Sequence, residues 1–210
     1  GNYAYVAHAS SGLIQVDIQS PDLPVIINTI GPENQQPMGI DATDDLVSIG
    51  YINGLTQIYD SSNDGKLTLL SEIQVPEQVS STEMNGDKLF IGTSDDFGSN
   101  ADRYLYQYDI SDPTSPVENA RIAFQSNLID IDMELDSVYL TSETEGLWRL
   151  TADLDPISQL SIPYNLSKTV IEDGTAFSAV PNHQLLIANI GAARTPSRTG
   201  WQHIDGVGAG

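Results

Sequence analysis

The stretch Gly1–Val25, GNYAYVAHASSGLIQVDIQSPDLPV, decides the fold of this 210-residue chain. It contains two short runs of alternating apolar and polar residues, separated by a Ser-Ser-Gly turn and followed by a segment bracketed by prolines. Alternation with a period of two is typical of half-buried β-strands. The stretch therefore predicts two antiparallel strands that start almost at the first residue, and the same pattern recurs along the chain.

Regular spacing of this pattern predicts the architecture. The matching positions of five strands are Ala4, Val47, Leu89, Val138 and Ala176, with spacings of 43, 42, 49 and 38 residues. Three more short strands accompany nearly every one of them, which gives four strands in about 42 residues, as in a β-propeller blade. The wide spacing of 49 comes from an insertion, TSDDFGSNADR, in the third unit.

The C-terminal segment HIDGVGAG, which starts at His203, has the pattern of the strand that precedes each turn. Joining it to the N-terminus gives a closing spacing of 38 residues, within the observed range. We therefore predict an all-β protein, a closed five-bladed β-propeller formed by residues 1–210 as a single domain, whose first blade is completed by the C-terminal strand. Shared strand pairing would remove the open edges of a partial ring. A piece excised from a larger surface protein, or from a longer propeller, is equally compatible with the sequence.

Composition narrows the set of partners. The chain has 29 acidic and 8 basic residues and a formal net charge of −21, so its surface repels nucleic-acid phosphates and anionic lipid headgroups. We expect no nucleic-acid partner, and no membrane insertion, because no apolar run approaches the roughly 18 residues of a spanning helix. The chain has no cysteine, which excludes disulfides and thiolate chemistry.

Carboxylates occupy equivalent positions in the strands that a propeller places innermost. Asp41, Glu83 and Asp132 align in three successive units. Such a set could bind a cation, or act as paired acid and base on a glycosidic bond. Acids that are solvated or capped in a purely structural role are the simpler interpretation.

Two further groups of residues are candidate ion sites. The histidines His8, His183 and His203 are expected on one face of the ring, where they could hold a transition-metal ion. The third-unit insertion crowds four side-chain oxygen donors that suit calcium: Asp95, Asp96, Asn100 and Asp102. The same face is expected to expose Tyr51, Phe97 and Trp201, aromatic residues of the kind that contact peptides or carbohydrates.

The first and third units resemble LVIVD repeats, in which a hydrophobic strand ends in Val-Asp-Ile or Val-Asp-Val and Ser-Asp-Pro-x-x-Pro-Val follows. Asp17 and Asp109 match the strand end, and residues 111–117 match the proline-containing tail. The resemblance implies a β-propeller of bacterial or archaeal exported proteins, and it implies no shared catalytic residues.

These observations predict a non-enzymatic recognition or scaffolding module of an extracellular or cell-surface protein. Its partners would be a protein, a glycan or neighbouring subunits of a surface assembly, and its only expected cofactor is a calcium or transition-metal ion. The alternative is a five-bladed glycoside hydrolase that uses Asp41, Glu83 and Asp132.

Overall fold

The computed structural model describes residues 2–32, 35–63, 65–95, 102–162, 165–180, 184–190 and 197–203, with residue 184 and residues 197–203 described for the backbone alone. The strands, in chain order, are β1 (Tyr3–His8), β2 (Gly12–Asp17), β3 (Val25–Ile30), β4 (Pro37–Ala42), β5 (Leu46–Tyr51), β6 (Leu55–Asn63), β7 (Lys66–Gln74), β8 (Gln78–Asn85), β9 (Lys88–Ser94), β10 (Arg103–Asp109), β11 (Val117–Phe124), β12 (Leu128–Glu134), β13 (Ser137–Ser142), β14 (Gly146–Thr151), β15 (Pro156–Leu160), β16 (Thr169–Glu172), β17 (Thr175–Val180), β18 (Gln184–Asn189) and β19 (Ser197–His203).

The strands form five antiparallel sheets, each built from strands that are consecutive in the chain. Four sheets have four strands, namely β4–β7, β8–β11, β12–β15 and β16–β19, and the first sheet has three described strands, β1–β3. The predicted all-β, blade-like organisation is confirmed. The described residues do not show four strands in each of the five blades, because the first sheet has only three described strands.

Neighbouring sheets meet through the strands that come first in chain order. In the four-stranded sheets the next strand begins the sequence repeat and is counted as the first strand of its blade, as β1 is in the first sheet. β4 contacts β8, β8 contacts β12, and β12 contacts β16, while β1 contacts β4. We call β4, β8, β12 and β16 the inner strands. Residues 204–210, which were predicted to complete the first blade and close the ring, lie outside the described residues, so closure stays a prediction.

His203 does not begin the inner strand of the first blade, as the sequence pattern predicted. It is the last residue of β19, where its backbone is in register with Gln184 of β18. The prediction was wrong because Ser197–His203 has no apolar alternation, and the third strand of the fifth unit was therefore not recognised.

Hydrophobic clusters fill the spaces between successive sheets. One cluster joins Ile58 and Ile73 of the second sheet to Ile91 and Tyr106 of the third, and others lie between the other successive pairs of described sheets. Full burial of each large apolar side chain contributes about 1.5–3 kcal/mol. Each sheet thus depends on its neighbours for its core, as expected for stacked repeats.

One glycine recurs at the turn before the second strand of a blade. Gly12, Gly54 and Gly146 all have positive φ, of +76°, +84° and +88°. A Cβ at Gly146 would lie 2.2 Å from the carbonyl oxygen of Leu160, and one at Gly12 would lie 2.6 Å from that of Ile30. The turn therefore requires glycine for both its backbone conformation and the close approach of the third strand.

Candidate functional site

The inner strand β12 presents three acids at alternate positions to the next sheet. Asp130 Oδ2 accepts the backbone N–H of Thr169 at 3.0 Å, and Asp132 Oδ2 accepts that of Ile171 at 2.6 Å. Glu134 accepts the N–H of Gly174 at 3.0 Å. Since residues two apart in a strand point to the same side, these carboxylates form a row that fastens β12 to the β16–β17 hairpin.

The same relation joins earlier sheets. Asp41 Oδ2 in β4 accepts the backbone N–H of Met84 in β8 at 2.7 Å. Ser81 in β8 accepts that of Ile131 in β12 at 3.3 Å through its hydroxyl oxygen. Hydrogen bonds to a charged acceptor are stronger than neutral ones, at about 1.5–3 kcal/mol net. Inner-strand side chains therefore hold consecutive sheets together by binding each other's backbone.

Glu83 departs from this pattern. By analogy with Asp41 and Asp132, its carboxylate should accept the N–H of Met133, but that N–H donates to Asp132 Oδ1 at 2.7 Å. Burial, followed by the charges of Asp41 and Asp132, raises the pKa of Glu83 to about 8. Glu83 is thus a predominantly protonated carboxyl group beside its acidic neighbours at neutral pH.

Burial also raises the pKa values of Asp41 and Asp132. The backbone N–H groups that donate to each carboxylate oppose this increase, because they stabilise its charged form. The structure therefore brings the three predicted carboxylates, Asp41, Glu83 and Asp132, into electrostatic contact on equivalent inner-strand positions. Two of the three already bind backbone amides of the neighbouring sheet. Their arrangement can support sheet-to-sheet fastening, and Glu83 alone among them is free of this role.

The predicted calcium loop is only partly described. Asp96 and Asn100 lie outside the described residues. Asp95 places its Oδ2 4.0 Å from Nη2 of Arg103, and Asp102 accepts the hydroxyl of Tyr104 at 3.2 Å. Within the described ranges, no group of three or more histidine, cysteine or acidic side chains is arranged to hold a metal ion.

The predicted histidine site is also only partly described. His8 ends β1, next to the first turn, and its Nδ1 lies 3.4 Å from the hydroxyl of Ser10. His183 lies outside the described residues, and His203 is placed by its backbone alone. A shared metal site among them stays a prediction.

The predicted aromatic face is corrected at Tyr51. Its side chain is fully buried, and its hydroxyl donates to Gln57 Oε1 at 3.2 Å. The alternation of Val47, Ile49 and Tyr51 along β5 was the overlooked signal, since all three share one buried face. Phe97 lies outside the described residues, and Trp201 lies in β19 with only its backbone described.

A cavity of about 280 Å³ lies where the inner strands begin. The sequence pattern did not predict this cavity. We call it the strand-start cavity. Its lining includes Met38, Ser80, Leu128 and Ile129 from three inner strands, and it also includes Ser94, Asp95, Asn127 and Glu143. Of these residues, only Asp95 belonged to a predicted site.

The aspartate that ends the second strand has a structural role. Asp17 Oδ1 accepts the backbone N–H of Gln19 at 2.9 Å, and Asp109 Oδ1 accepts that of Ser111 at 2.8 Å. In the tail of the third unit, Asp112 likewise accepts the N–H of Thr114 at 3.0 Å. These bonds form turns in which the side chain replaces a backbone acceptor. The N–H of Ser111 lowers the pKa of Asp109, and the hydroxyl of Thr114, followed by its N–H, lowers the pKa of Asp112.

The described fold is that of a β-propeller-like repeat protein. The LVIVD repeat model matches residues 1–29 and 100–124, and this family of repeats forms β-propellers. The matched residues belong to the first and third units, where the sequence resemblance was noted, and that resemblance is confirmed.

Two solved structures share this fold. One is the crystal structure of the computationally designed Ika8 protein, with a TM-score of 0.74 and 10% identity over 97% of this chain. The other is Saccharomyces cerevisiae Sqt1, with a TM-score of 0.73 and 8% identity over 99% of this chain. The chain spans 59% and 60% of their lengths, and at this identity the likeness concerns the fold alone.

None of the curated proteins compared matches the chain. In the part of the chain that the structure describes, no helix is long and apolar enough to cross a membrane.

Proposed function

We propose that the chain is a non-enzymatic recognition or scaffolding module of an extracellular or cell-surface protein, built as a closed five-bladed β-propeller. Its partners would be a protein, a glycan or neighbouring subunits of a surface assembly. The LVIVD repeats support a repeat scaffold. Their resemblance to exported proteins is the reason for placing the module outside the cell.

One observation carries the non-enzymatic part of the proposal. The inner-strand carboxylates that a hydrolase would need accept backbone amides of the adjacent sheet, as Asp41 does from Met84 and Asp132 does from Ile171. A carboxylate bound in this way is turned toward its neighbour, and loss of it would expose unpaired buried N–H groups. Asp41 and Asp132 are therefore assigned to holding the fold.

The test is binding without turnover. The chain would be applied to glycan and peptide arrays, and in parallel incubated with aryl glycosides and soluble polysaccharides. We expect saturable binding to one ligand class and no product release. Hydrolysis that is abolished by Glu83→Gln, with the fold retained, would overturn the proposal.

A second candidate, a glycoside hydrolase, is favoured by Glu83. A carboxyl group with a strongly raised pKa beside two further carboxyl groups is the arrangement from which glycosidases obtain a general acid and its partner. In that case Glu83 would protonate the leaving oxygen, and Asp41 or Asp132 would act as the second carboxylate. The turnover arm of the same experiment decides between the two.

A further inference from the structure

Three consecutive inner strands share an irregularity at the strand-start cavity. The pairing register shifts at Met38 in β4, at Ser80 in β8 and at Ile129 in β12. All three of these residues line the cavity. A β-bulge re-aims the side chain of its extra residue and is common beside binding sites. The repeat thus turns one residue from each inner strand into the same space.

Two of the residues that line the cavity have a side-chain oxygen without a hydrogen-bond partner. Among the described residues, Ser80 Oγ and Asp95 Oδ2 are buried and make no hydrogen bond. The 4.0 Å separation between Asp95 Oδ2 and Arg103 Nη2 is an ion pair too long for a hydrogen bond. Buried polar atoms are normally paired, so a donor placed in the cavity would supply the partner that these side chains lack once they turn toward it.

Asn127 holds the acidic residues of the cavity in place. Its Oδ1 accepts the backbone N–H of Asp95 at 3.0 Å and Nε of Arg103 at 3.1 Å. Its Nδ2 donates to Glu143 Oε2 at 3.0 Å. Because the backbone of Asp95 and the carboxylate of Glu143 are bonded to one amide, the cavity is organised before any ligand enters, which lowers the entropy cost of binding.

We propose that the strand-start cavity binds a lysine or arginine side chain of a partner protein. The proposal rests on the recognition function above and names its partner chemistry. Met38 and Ile129 supply apolar contact for the aliphatic stem, since such stems lie along apolar surface. The cationic head lies between the carboxylates of Asp95 and Glu143, close to the Ser80 hydroxyl.

The local charge selects a monovalent cation. Among the described residues, the cavity is lined by the carboxylates of Asp95 and Glu143 and adjoined by Arg103, which together carry a formal charge of −1. One ammonium or guanidinium group balances this charge, whereas an anion would be repelled. The formal net charge of −21 on the whole chain further accelerates encounter with basic partners.

The test is a titration of the ¹⁵N-labelled chain followed by NMR. The probes are capped Gly-Ser-X-Ser-Gly peptides in which X is lysine, arginine or norleucine. We expect the lysine and arginine peptides to shift the backbone amides of Ser80, Asp95 and Ile129, and the norleucine peptide to shift them much less. Equal shifts with norleucine, or none at these amides at about 10 mM peptide, would overturn the proposal.

Matched variants separate the cavity from general attraction to an acidic protein. Asp95→Asn with Glu143→Gln should weaken binding of the lysine peptide about three- to tenfold. Asp44→Asn with Asp136→Asn removes the same charge at exposed positions and should leave the affinity within about twofold. Equal weakening by the two pairs would reduce the effect to net charge and overturn the proposal.

Met38→Ala provides a third arm that leaves the charge unchanged. Met38 is 44% exposed, so its truncation should preserve the fold, and it should weaken binding of the lysine peptide by reducing contact with the stem. Unchanged affinity would contradict the assignment of the stem to the cavity.

If the arrays reveal a ligand but the cavity amides do not respond, this inference fails while the proposed recognition function stands. Glycoside turnover would instead remove the proposed function.

Discussion

The carboxylate of Asp132 in β12 accepts the backbone N–H of Ile171 in β16 at 2.6 Å, across the boundary between two sheets. Its other oxygen accepts the N–H of Met133 in its own strand. One side chain therefore binds the backbone of two inner strands that make no main-chain ladder with each other. Asp41 and Met84 repeat the relation two sheet boundaries earlier along the chain, between the second and third sheets.

Truncation of this carboxylate should destabilise the fold. Asp132→Ala leaves the N–H groups of Met133 and Ile171 without their acceptor, and we expect the free energy of unfolding to fall by about 1–3 kcal/mol. Urea denaturation measures the change. Asp136→Ala, at an exposed position in the adjacent turn, is the control and should be nearly neutral. Equal stability of the two variants would contradict the fastening role.

Close contact of inner strands predicts a specific glycine effect. A Cβ at Gly39 in β4 would lie 2.7 Å from the Cα of Ser81 in β8, so Gly39→Ala should cost about 1–3 kcal/mol of stability. At Gly92 the nearest atom is the flexible Cδ1 of Ile131, at 3.2 Å. Gly92→Ala should therefore cost less, and chemical denaturation of the two variants compares them. A smaller loss at Gly39 than at Gly92 would show that β4 and β8 are not so closely packed.

Glu83 should make stability depend on pH. Its pKa of about 8 in the folded chain exceeds the ordinary value of 4.5, so the folded state retains a proton that the unfolded state releases. Stability should therefore fall as the pH rises from about 4.5 to about 8, by on the order of 2–4 kcal/mol from this group. Above that pH, its contribution should level off.

Glu83→Gln should make the pH profile shallower between pH 5 and pH 8 and raise stability at pH 8, because glutamine cannot ionise. Some slope remains, since the pKa values of Asp41 and Asp132 are also raised by burial. Asp44→Asn is the matched control for loss of one charge at an exposed site. Thermal unfolding of the three proteins across this pH range provides the measurement, and an unaltered profile in Glu83→Gln would refute the role assigned to Glu83.

Salt should stabilise the fold. The formal net charge of −21 produces self-repulsion in the compact state, and added ions screen it. We expect the melting temperature to rise between low ionic strength and that of sea water. Sucrose at matched osmolality controls for effects unrelated to charge. A melting temperature that falls steadily with salt would contradict this prediction.

The sequence predicted the strand repeat, but it did not predict every strand within it. The strand that starts each unit is found where it was expected, for example at Leu46–Tyr51 and Ser137–Ser142, because alternation and turn residues are local signals. The pairing of His203 in β19 with Gln184 in β18 was not predicted, because β19 is polar and lacks the alternation of apolar and polar residues. Recognition of β19 depends on its neighbour β18.

Only a part of the candidate site, too, could be predicted from the sequence. The equivalence of Asp41, Glu83 and Asp132 followed from spacing, whereas the acceptor role of two of them depends on which backbone N–H groups the next sheet presents. The strand-start cavity could not be predicted, because it depends on register shifts at Met38, Ser80 and Ile129. Because all three strands carry the extra residue, the bulges do not alter the spacing between repeats, and alignment of the repeats does not reveal them.

Amide hydrogen exchange at Ile171 tests most directly whether inner-strand carboxylates fasten one sheet to the next. The N–H of Ile171 points to Asp132, so the alternation of an antiparallel pair directs the N–H of Val170 into β17. In Asp132→Ala we predict that exchange at Ile171 accelerates at least about tenfold while Val170 keeps its protection. Unchanged exchange at Ile171, or an equal loss of protection at both residues, would contradict the account.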